Sequence, residues 1–358
     1  MKIKLILATL MLSLNLMASN TKTICSTQIT KAVDVAANTD YVLTLSSSLF
    51  KSGGTLNIPN SAMEHSVIIF QQIKPSAVIK DWLSYIRIGG AKAVDGTNCQ
   101  VKMYNKGAII LPYGTGFHAL TCYTGTGFSG TSYNGYTTGS AGGYMKTLSD
   151  AELNNNIKSF KLKRGYMVTF ATGCGGWGYS RCFIADTEDL EMNLPTVLSG
   201  KVSSYRLFQW YNFGKSGIAN NTEANVCDAL NVQGCYTYNV GGKMTPDVEW
   251  LPHKIHRAWP GIAECGNTEY ACTMKTDNEP ANPNDDTPAT VEEVLNYWED
   301  AMRTGLRLCS PSTYDNSLSE NWFKEFFTAI DARGWRCDLY DLHCYWSNFG
   351  SLQSRYQS

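Results

Sequence analysis

The segment Leu153-Asn154-Asn155-Asn156-Ile157-Lys158-Ser159-Phe160-Lys161-Leu162 returns as Leu198-Ser199-Gly200-Lys201-Val202-Ser203-Ser204-Tyr205-Arg206-Leu207, 45 residues on when counted from Leu153 to Leu198. Apolar, serine, aromatic, basic and leucine positions coincide. A fixed offset of this size marks one supersecondary unit used twice. On either side of the repeat the texture of the chain differs. Before it come short β-rich runs, at 41–45, 55–58, 66–70, 85–88 and 101–104, separated by Gly, Asn or Pro. This spacing predicts a β-sandwich or small barrel. After about residue 208, β-rich runs alternate with helical patterns, and short connections between them predict a parallel sheet.

Upstream of the first copy, Cys122-Tyr123-Thr124-Gly125-Thr126-Gly127-Phe128-Ser129-Gly130 sets an aromatic, four residues, an aromatic and then a glycine after a β run. The pattern resembles a Greek key of the βγ-crystallin superfamily, in which the glycine permits a folded hairpin and a serine closes it. Around Phe170 to Gly178 the second copy keeps aromatics and glycine at a different spacing. A double Greek-key sandwich is expected over 115–207. The resemblance implies weak calcium candidates at Asn155, Asn156 and Ser159, oxygen donors suited to a hard cation. Against them stand Phe160, where a hydroxyl would be wanted, and Ser199-Gly200 in the second copy.

In the C-terminal part, Thr290-Val291-Glu292-Glu293 is a capping box. Val291, Val294, Leu295, Trp298 and Met302 follow at helical spacing, and Gly305 ends the helix. A second helix runs from Glu320 to Ala332. Strands are expected at Phe208, Cys235, Val248, Tyr270, Leu306 and Asp338. Their C-terminal ends carry Trp210, Tyr211, Asn239, Trp250, Asn278-Glu279-Pro280, Ser310 and His343-Tyr345-Trp346, and in a (β/α)8 barrel that end holds the active site. Trp298, Trp322 and Phe326 fall on helical faces and are expected in the core, whereas His253 and His256 are a polar lining or plain loop.

Asn278-Glu279-Pro280 after the fourth strand, the helix bearing Trp298, Leu308-Cys309-Ser310-Pro311 on the fifth strand and Asp341-Leu342-His343-Cys344-Tyr345-Trp346 on the sixth, in that order, resemble glycoside hydrolase family 128, β-1,3-glucanases built as retaining (β/α)8 barrels. The resemblance covers about 208 to 350. It implies that Glu279 is the general acid/base and that Asn278 holds the sugar 2-hydroxyl or orients the nucleophile. By position, His343, Tyr345 and Trp346 line subsites, and Trp210, Tyr211 and Trp250 are further substrate-binding candidates at strand ends. The implied nucleophile is a glutamate ending a seventh strand. No Glu follows Glu325, so the chain is expected to be C-terminally truncated and inactive as it stands. Asp338, Asp341, Glu249 and Glu264 do not lie where the family places that glutamate.

The start, Met1-Lys2-Ile3-Lys4 followed by an apolar run to Met17 and Ala18-Ser19-Asn20, has the regions of a secretory signal. The run is too short to span a bilayer, so secretion without membrane insertion is expected. Export permits disulfides among the 12 cysteines, for which Cys174/Cys182, Cys227/Cys235, Cys265/Cys272 and Cys337/Cys344 are sequence neighbours. A net charge of -1 leaves no nucleic-acid footprint. No cofactor and no structural metal are called for. With 9 Trp and 20 Tyr, rings are plentiful enough both for β cores and for stacking on sugar faces.

The expected chain is therefore multidomain: residues 1–19 a signal peptide, 20–114 a β-sandwich module, 115–207 the βγ-crystallin-like module, and 208–358 an incomplete (β/α)8 TIM barrel of six β/α units. The expected substrate is a polysaccharide, a β-glucan. The alternative is a non-catalytic polysaccharide-binding protein using its β modules, Trp82 and strand-end aromatics. Oligomeric state is not legible.

Overall fold

The computed structural model describes residues 20–114, 117–150, 153–211, 217–219, 224–230, 232, 234–240, 247–285, 287–312, 314 and 317–343. The expected signal peptide, Cys344, Tyr345 and Trp346 lie outside these residues.

The N-terminal module is a coil of parallel strands in place of the expected sandwich or small barrel. Its first six strands are β1 (Thr21–Cys25), β2 (Ala32–Asp34), β3 (Thr39–Leu43), β4 (Thr55–Ile58), β5 (Val67–Phe70) and β6 (Ile86–Ile88). They alternate between two sheets, with β1, β3 and β5 parallel in one and β2, β4 and β6 parallel in the other. A short helix, α1 (Pro75–Ala77), precedes β6, and β7 (Ala91–Lys92) pairs antiparallel with it. The hairpin of β8 (Cys99–Tyr104) and β9 (Gly107–Pro112) closes the first sheet on β5. Strand spacing alone does not distinguish a coil from a sandwich, because both repeat short runs between turns. Trp82 is half-buried, tilted against Phe50 and Tyr85.

The second module comprises β10 (Leu120–Tyr123), β11 (Ser132–Tyr133), β12 (Lys146–Thr147), β13 (Ser159–Leu162), β14 (Tyr166–Ala171), β15 (Ser180–Ala185), β16 (Leu190–Asn193) and β17 (Ser204–Gln209). Its two sheets run β11-β10-β13-β16 and β12-β17-β14-β15, so each half of the repeat lends one strand to the other's sheet. The two keys are more alike than their sequences. Ser159 Oγ donates to Gly125 O (2.7 Å) and Ser204 Oγ to Gly173 O (2.7 Å). Likewise Thr131 N donates to Thr124 Oγ1 (3.0 Å) and Tyr179 N to Thr172 Oγ1 (3.1 Å). The halves also exchange bonds reciprocally, Asn155 N to Val202 O (2.9 Å) and Gly200 N to Ile157 O (2.8 Å). Gly130 and Gly178 both adopt φ +77°, the left-handed turn that glycine takes without steric cost.

Two sheets are covered on both faces, which joins the modules into one stack. Along β5, Val67 and Ile69 enter the core of the Greek-key module while Ile68 and Phe70 enter the core of the coil. On β14 and β17, Val168 and Leu207 face the Greek-key core, whereas Met167 and Phe208 pack with the C-terminal helices. Phe208 therefore belongs to the Greek-key module and does not begin the parallel sheet.

The parallel strands are β18 (Gly217–Ala219), β19 (Gly234–Tyr236), β20 (Glu249–Trp250), β21 (Thr273–Thr276), β22 (Arg307–Ser312) and β23 (Leu339–Asp341). They form the parallel sheets β18-β19-β20 and β21-β22-β23, joined by a parallel bridge between His253 and Lys275. Among the described residues they form an open row in sequence order, and no closed barrel is seen. Connecting helices are α2 (Ala224–Leu230), α3 (Ile262–Gly266), α4 (Val291–Arg303) and α5 (Ser317–Arg333). The expected capping box opens α4, where Glu293 N donates to Thr290 Oγ1 (3.3 Å) and Thr290 N to Glu293 Oε2 (2.9 Å). Trp298 and Phe326 are buried as expected.

One buried guanidinium ties the Greek-key module to this sheet. From β17, Arg206 donates to Thr304 O (2.6 Å) at the end of α4, to Gly266 O (2.7 Å) at the end of α3 and to Gly143 O (3.3 Å). Helix C-termini present unpaired carbonyls and partial negative charge, so one cation satisfies two helices. At Gly266 a side-chain carbon would stand 1.9 Å from Gly143 O, so only glycine permits this approach.

The thiols of Cys174, Cys182, Cys265 and Cys272 are free, so neither Cys174/Cys182 nor Cys265/Cys272 is bridged. Cys272 instead donates to Glu249 Oε1 (2.9 Å).

Candidate active site

Strand β21 carries Thr273, Met274, Lys275 and Thr276 into Asp277, Asn278 and Glu279. Glu279 is 7% exposed and adopts φ +44°, a left-handed conformation that costs a non-glycine residue of order 1–3 kcal/mol. Neighbouring elements hold it there. Its backbone N donates to Ser312 Oγ (3.0 Å) on β22, and its carbonyl accepts from Asn282 N (2.8 Å). Both carboxylate oxygens are engaged, Oε2 by Asn282 Nδ2 (2.8 Å) and Oε1 by His343 Nδ1 (2.6 Å). Asn278 Nδ2 donates to Asp285 Oδ2 (3.2 Å), which orients the amide beside the carboxylate.

Beneath this pair lies a second ionic layer. Lys275, 7% exposed, pairs with Asp341 on β23, two residues before His343. Burial would lower the Lys275 ammonium, but the adjacent Asp341 carboxylate outweighs it and holds the pKa above the usual value. Asp341 N donates to Ser310 Oγ (2.9 Å), fixing β23 to β22. His253 is buried against Tyr236 (5.5 Å between ring centroids), and burial together with the Lys275 charge pushes its pKa down to about 3. The imidazole is therefore neutral.

Two more acids near the strands are desolvated. Glu249 is pushed up to about 7 by burial, against hydrogen bonds from Cys272 and Thr273. Asp277 is likewise raised to about 7 by burial, with the Lys254 ammonium opposing, and Tyr297 donates its hydroxyl to Oδ2.

Of the sequence candidates, the structure brings Glu279, Asn278 and His343 together. It places three others elsewhere. Trp210 follows a Greek-key strand, donates its indole N–H to Asp186 Oδ1 (2.7 Å) and lies under the Arg307 guanidinium (5.1 Å). Tyr211 is buried in the core beside α4, and Trp250 packs with Cys227, Cys235 and Val248. All three are core or inter-module residues. Ser159, a calcium candidate, is fully buried, and its hydroxyl spans Gly125 O and Phe128 N (3.1 Å). Asn155 Oδ1 accepts from Ser203 Oγ (3.1 Å). Sequence reasoning missed Asn282, Ser312, Lys275 and the pairing role of Asp341. The available signal was the period of two along β21, which sets Lys275 and Asp277 two residues apart.

A partly buried carboxyl with both oxygens held, at a strand C-terminus and against an imidazole, is suited to passing a proton to a leaving oxygen. Residues 249–358 match the family described as glycosyl hydrolase catalytic core. The matched segment contains Glu279, Asn278, Asn282, Lys275, Asp341 and His343. Among solved structures, the chain is similar to an endo-β-1,3-glucanase of glycoside hydrolase family 128 from Amycolatopsis mediterranei, in complex with laminarihexaose. The identity is 25% over 39% of this chain and 63% of that one, less than two thirds of its length, with a TM-score of 0.35. It is also similar to a βγ-crystallin domain from Flavobacterium johnsoniae (25% identity, 25% of this chain, 94% of that one, TM-score 0.21). A βγ-crystallin domain from Clostridium beijerinckii is similar at 19% identity (25% of this chain, 98% of that one, TM-score 0.21). No curated protein matches the chain.

Proposed function

We propose that the glycosyl hydrolase core segment is the catalytic part of a secreted β-1,3-glucan hydrolase, with Glu279 as its general acid/base and a (β/α)8 barrel as its parent architecture. The contact that carries this reading is the 2.6 Å approach of His343 Nδ1 to Glu279 Oε1 within the family-matched segment. Six parallel strands in sequence order, with the carboxylate at their C-terminal end, support the barrel assignment. β-1,3-glucan follows from the ordered resemblance of Asn278-Glu279-Pro280, Leu308-Cys309-Ser310-Pro311 and Asp341-Leu342-His343 to family 128. The basic and apolar residues 2–17 support the export part of the proposal.

In the retaining mechanism of this proposal Glu279 gives its proton to the glycosidic oxygen as a second carboxylate bonds to the anomeric carbon and the bond to that oxygen breaks, and water then displaces that carboxylate while Glu279 takes the proton of the water. Asn282 and His343 fix the carboxyl so that little rotational freedom is lost on reaching the transition state. Retention of configuration requires a second carboxylate about 5 Å away.

The test is release of reducing sugar from a soluble β-1,3-glucan by the full chain and by Glu279→Gln. Where the parent turns substrate over, a loss of at least about 100-fold in the variant is expected, and a parent without turnover would match the inactive chain that the sequence leads one to expect. Equal turnover by both would remove Glu279 from the mechanism.

A further inference from the structure

Resting on the glucanase reading, we infer that Tyr238 and Trp259 form a sugar-binding platform beside Glu279, over which a β-1,3-glucan chain lies. Both rings are large and open to solvent, Tyr238 at 41% and Trp259 at 47%. Several other exposed aromatics pack on a neighbour: Trp177 on Arg303 (4.1 Å), Tyr133 on Tyr136 (5.0 Å) and Tyr340 on Phe327 (5.1 Å). Among the described residues the indole of Trp259 stacks on no ring or cation.

Position makes the exposure informative. Tyr238 follows β19, Trp259 follows β20 and Glu279 follows β21, so the three occupy successive loops at one end of the parallel sheet. Backbone bonds join these loops edge to edge. His253 N donates to Asn239 O (3.2 Å), next to Tyr238, and Asn278 N donates to Ile255 O (2.8 Å), next to Glu279. His256 and Trp259 exchange backbone bonds, His256 N to Trp259 O (3.3 Å) and Trp259 N to His256 O (3.2 Å). The backbone of Trp259 thus stands one short hairpin away from the Glu279 loop.

The loop is also held firmly. The Lys254 ammonium is buried, 2% exposed, and donates to His256 O (3.1 Å), Arg257 O (3.1 Å) and Pro260 O (2.8 Å), tying the loop from within. Arg257 anchors its outer side through Pro288 O (3.1 Å) and Glu293 (3.5 Å). Burying a lysine charge to fix a surface loop costs stability, and what the loop displays is an apolar plate. A rigid indole loses little conformational entropy when a ligand covers it. The C–H face of a pyranose ring is flat and apolar and matches such a plate, while its hydroxyls remain free for polar neighbours. Tyr238, held at its edge by Tyr236 (6.0 Å) and His253 (5.8 Å), supplies a second plate farther along the row.

The experiment is calorimetric titration of the full chain carrying Glu279→Gln with a β-1,3-linked glucose hexasaccharide. Adding Trp259→Ala is expected to weaken binding about tenfold and Tyr238→Ala about threefold, as loss of some tens of Å² of apolar contact implies. Trp259→Phe, which keeps a plate, should bind within about threefold of the parent. Both rings are exposed, so melting temperatures should not move. Equal binding by Trp259→Ala and Tyr238→Ala, within twofold, would overturn the platform and leave the glucanase reading intact. Absence of binding in every form, together with no turnover by the unsubstituted chain, would overturn both.

Discussion

His343 Nδ1 stands 2.6 Å from Glu279 Oε1, a contact between side chains 64 residues apart that joins the ends of β21 and β23 across the intervening strand. The imidazole fixes one carboxylate oxygen and can share its proton, so its effect should fall on turnover more than on substrate affinity. If the glucanase reading holds, His343→Ala is expected to lower kcat about 10- to 100-fold with KM changed less than about threefold. Steady-state kinetics on soluble β-1,3-glucan checks this. An unchanged kcat with a raised KM would assign His343 to substrate binding alone.

Glu249 and Asp277 make stability depend on pH in an unusual direction. Their folded pKa values, about 7 for each, lie above the ordinary 4.5 and 3.8 because burial penalises the charged forms. The folded state therefore binds protons more tightly than the unfolded state. Their contribution is fully present below about pH 4 and is lost as pH rises to about 7. Glu249→Gln and Asp277→Asn should each gain stability relative to the parent at pH 8, on the order of a few kcal/mol, and little at pH 4. Urea unfolding at the two pH values measures the difference. An equal effect at both would show that these carboxyls ionise normally.

Arg206 joins two modules through carbonyls at the ends of two helices, and its charge has few other outlets. Arg206→Met would leave Thr304 O and Gly266 O without their donor inside a packed interface. A loss of about 3 kcal/mol or more is expected from the broken buried bonds. The near-ultraviolet signal of the C-terminal tryptophans and the overall β signal should melt together in the parent, because Met167 and Phe208 share a core with α4. Thermal unfolding followed by both signals checks this, and separate transitions in the parent would show that the modules fold independently.

Local chemistry made much of this protein legible without coordinates. The offset repeat placed Ser159 and Ser204 as equivalent residues, and each closes the corresponding hairpin of its own key. Thr290 and Glu293 announced the start of α4, since a capping box is satisfied within four residues. Asn278-Glu279 ended a strand as expected, and His343 arrived at the end of the sixth. The reach of such signals is short.

What only the tertiary structure decided is which surface each strand or ring would meet. Phe208, Trp210 and Tyr211 look like a strand with an exposed end, but β17 pairs with β14, so they lie between two cores. Trp250 looks like a strand-end platform and is buried, whereas Trp259, in a loop that sequence periodicity does not describe, is open to solvent. The coil of β1 to β6 and the Lys275–Asp341 pair were hidden for the same reason. Hydrophobic period records that a face is covered, and local sequence fixes caps and turns. The identity of the covering partner is set by contacts between residues far apart in the chain, which exist only once the chain has folded.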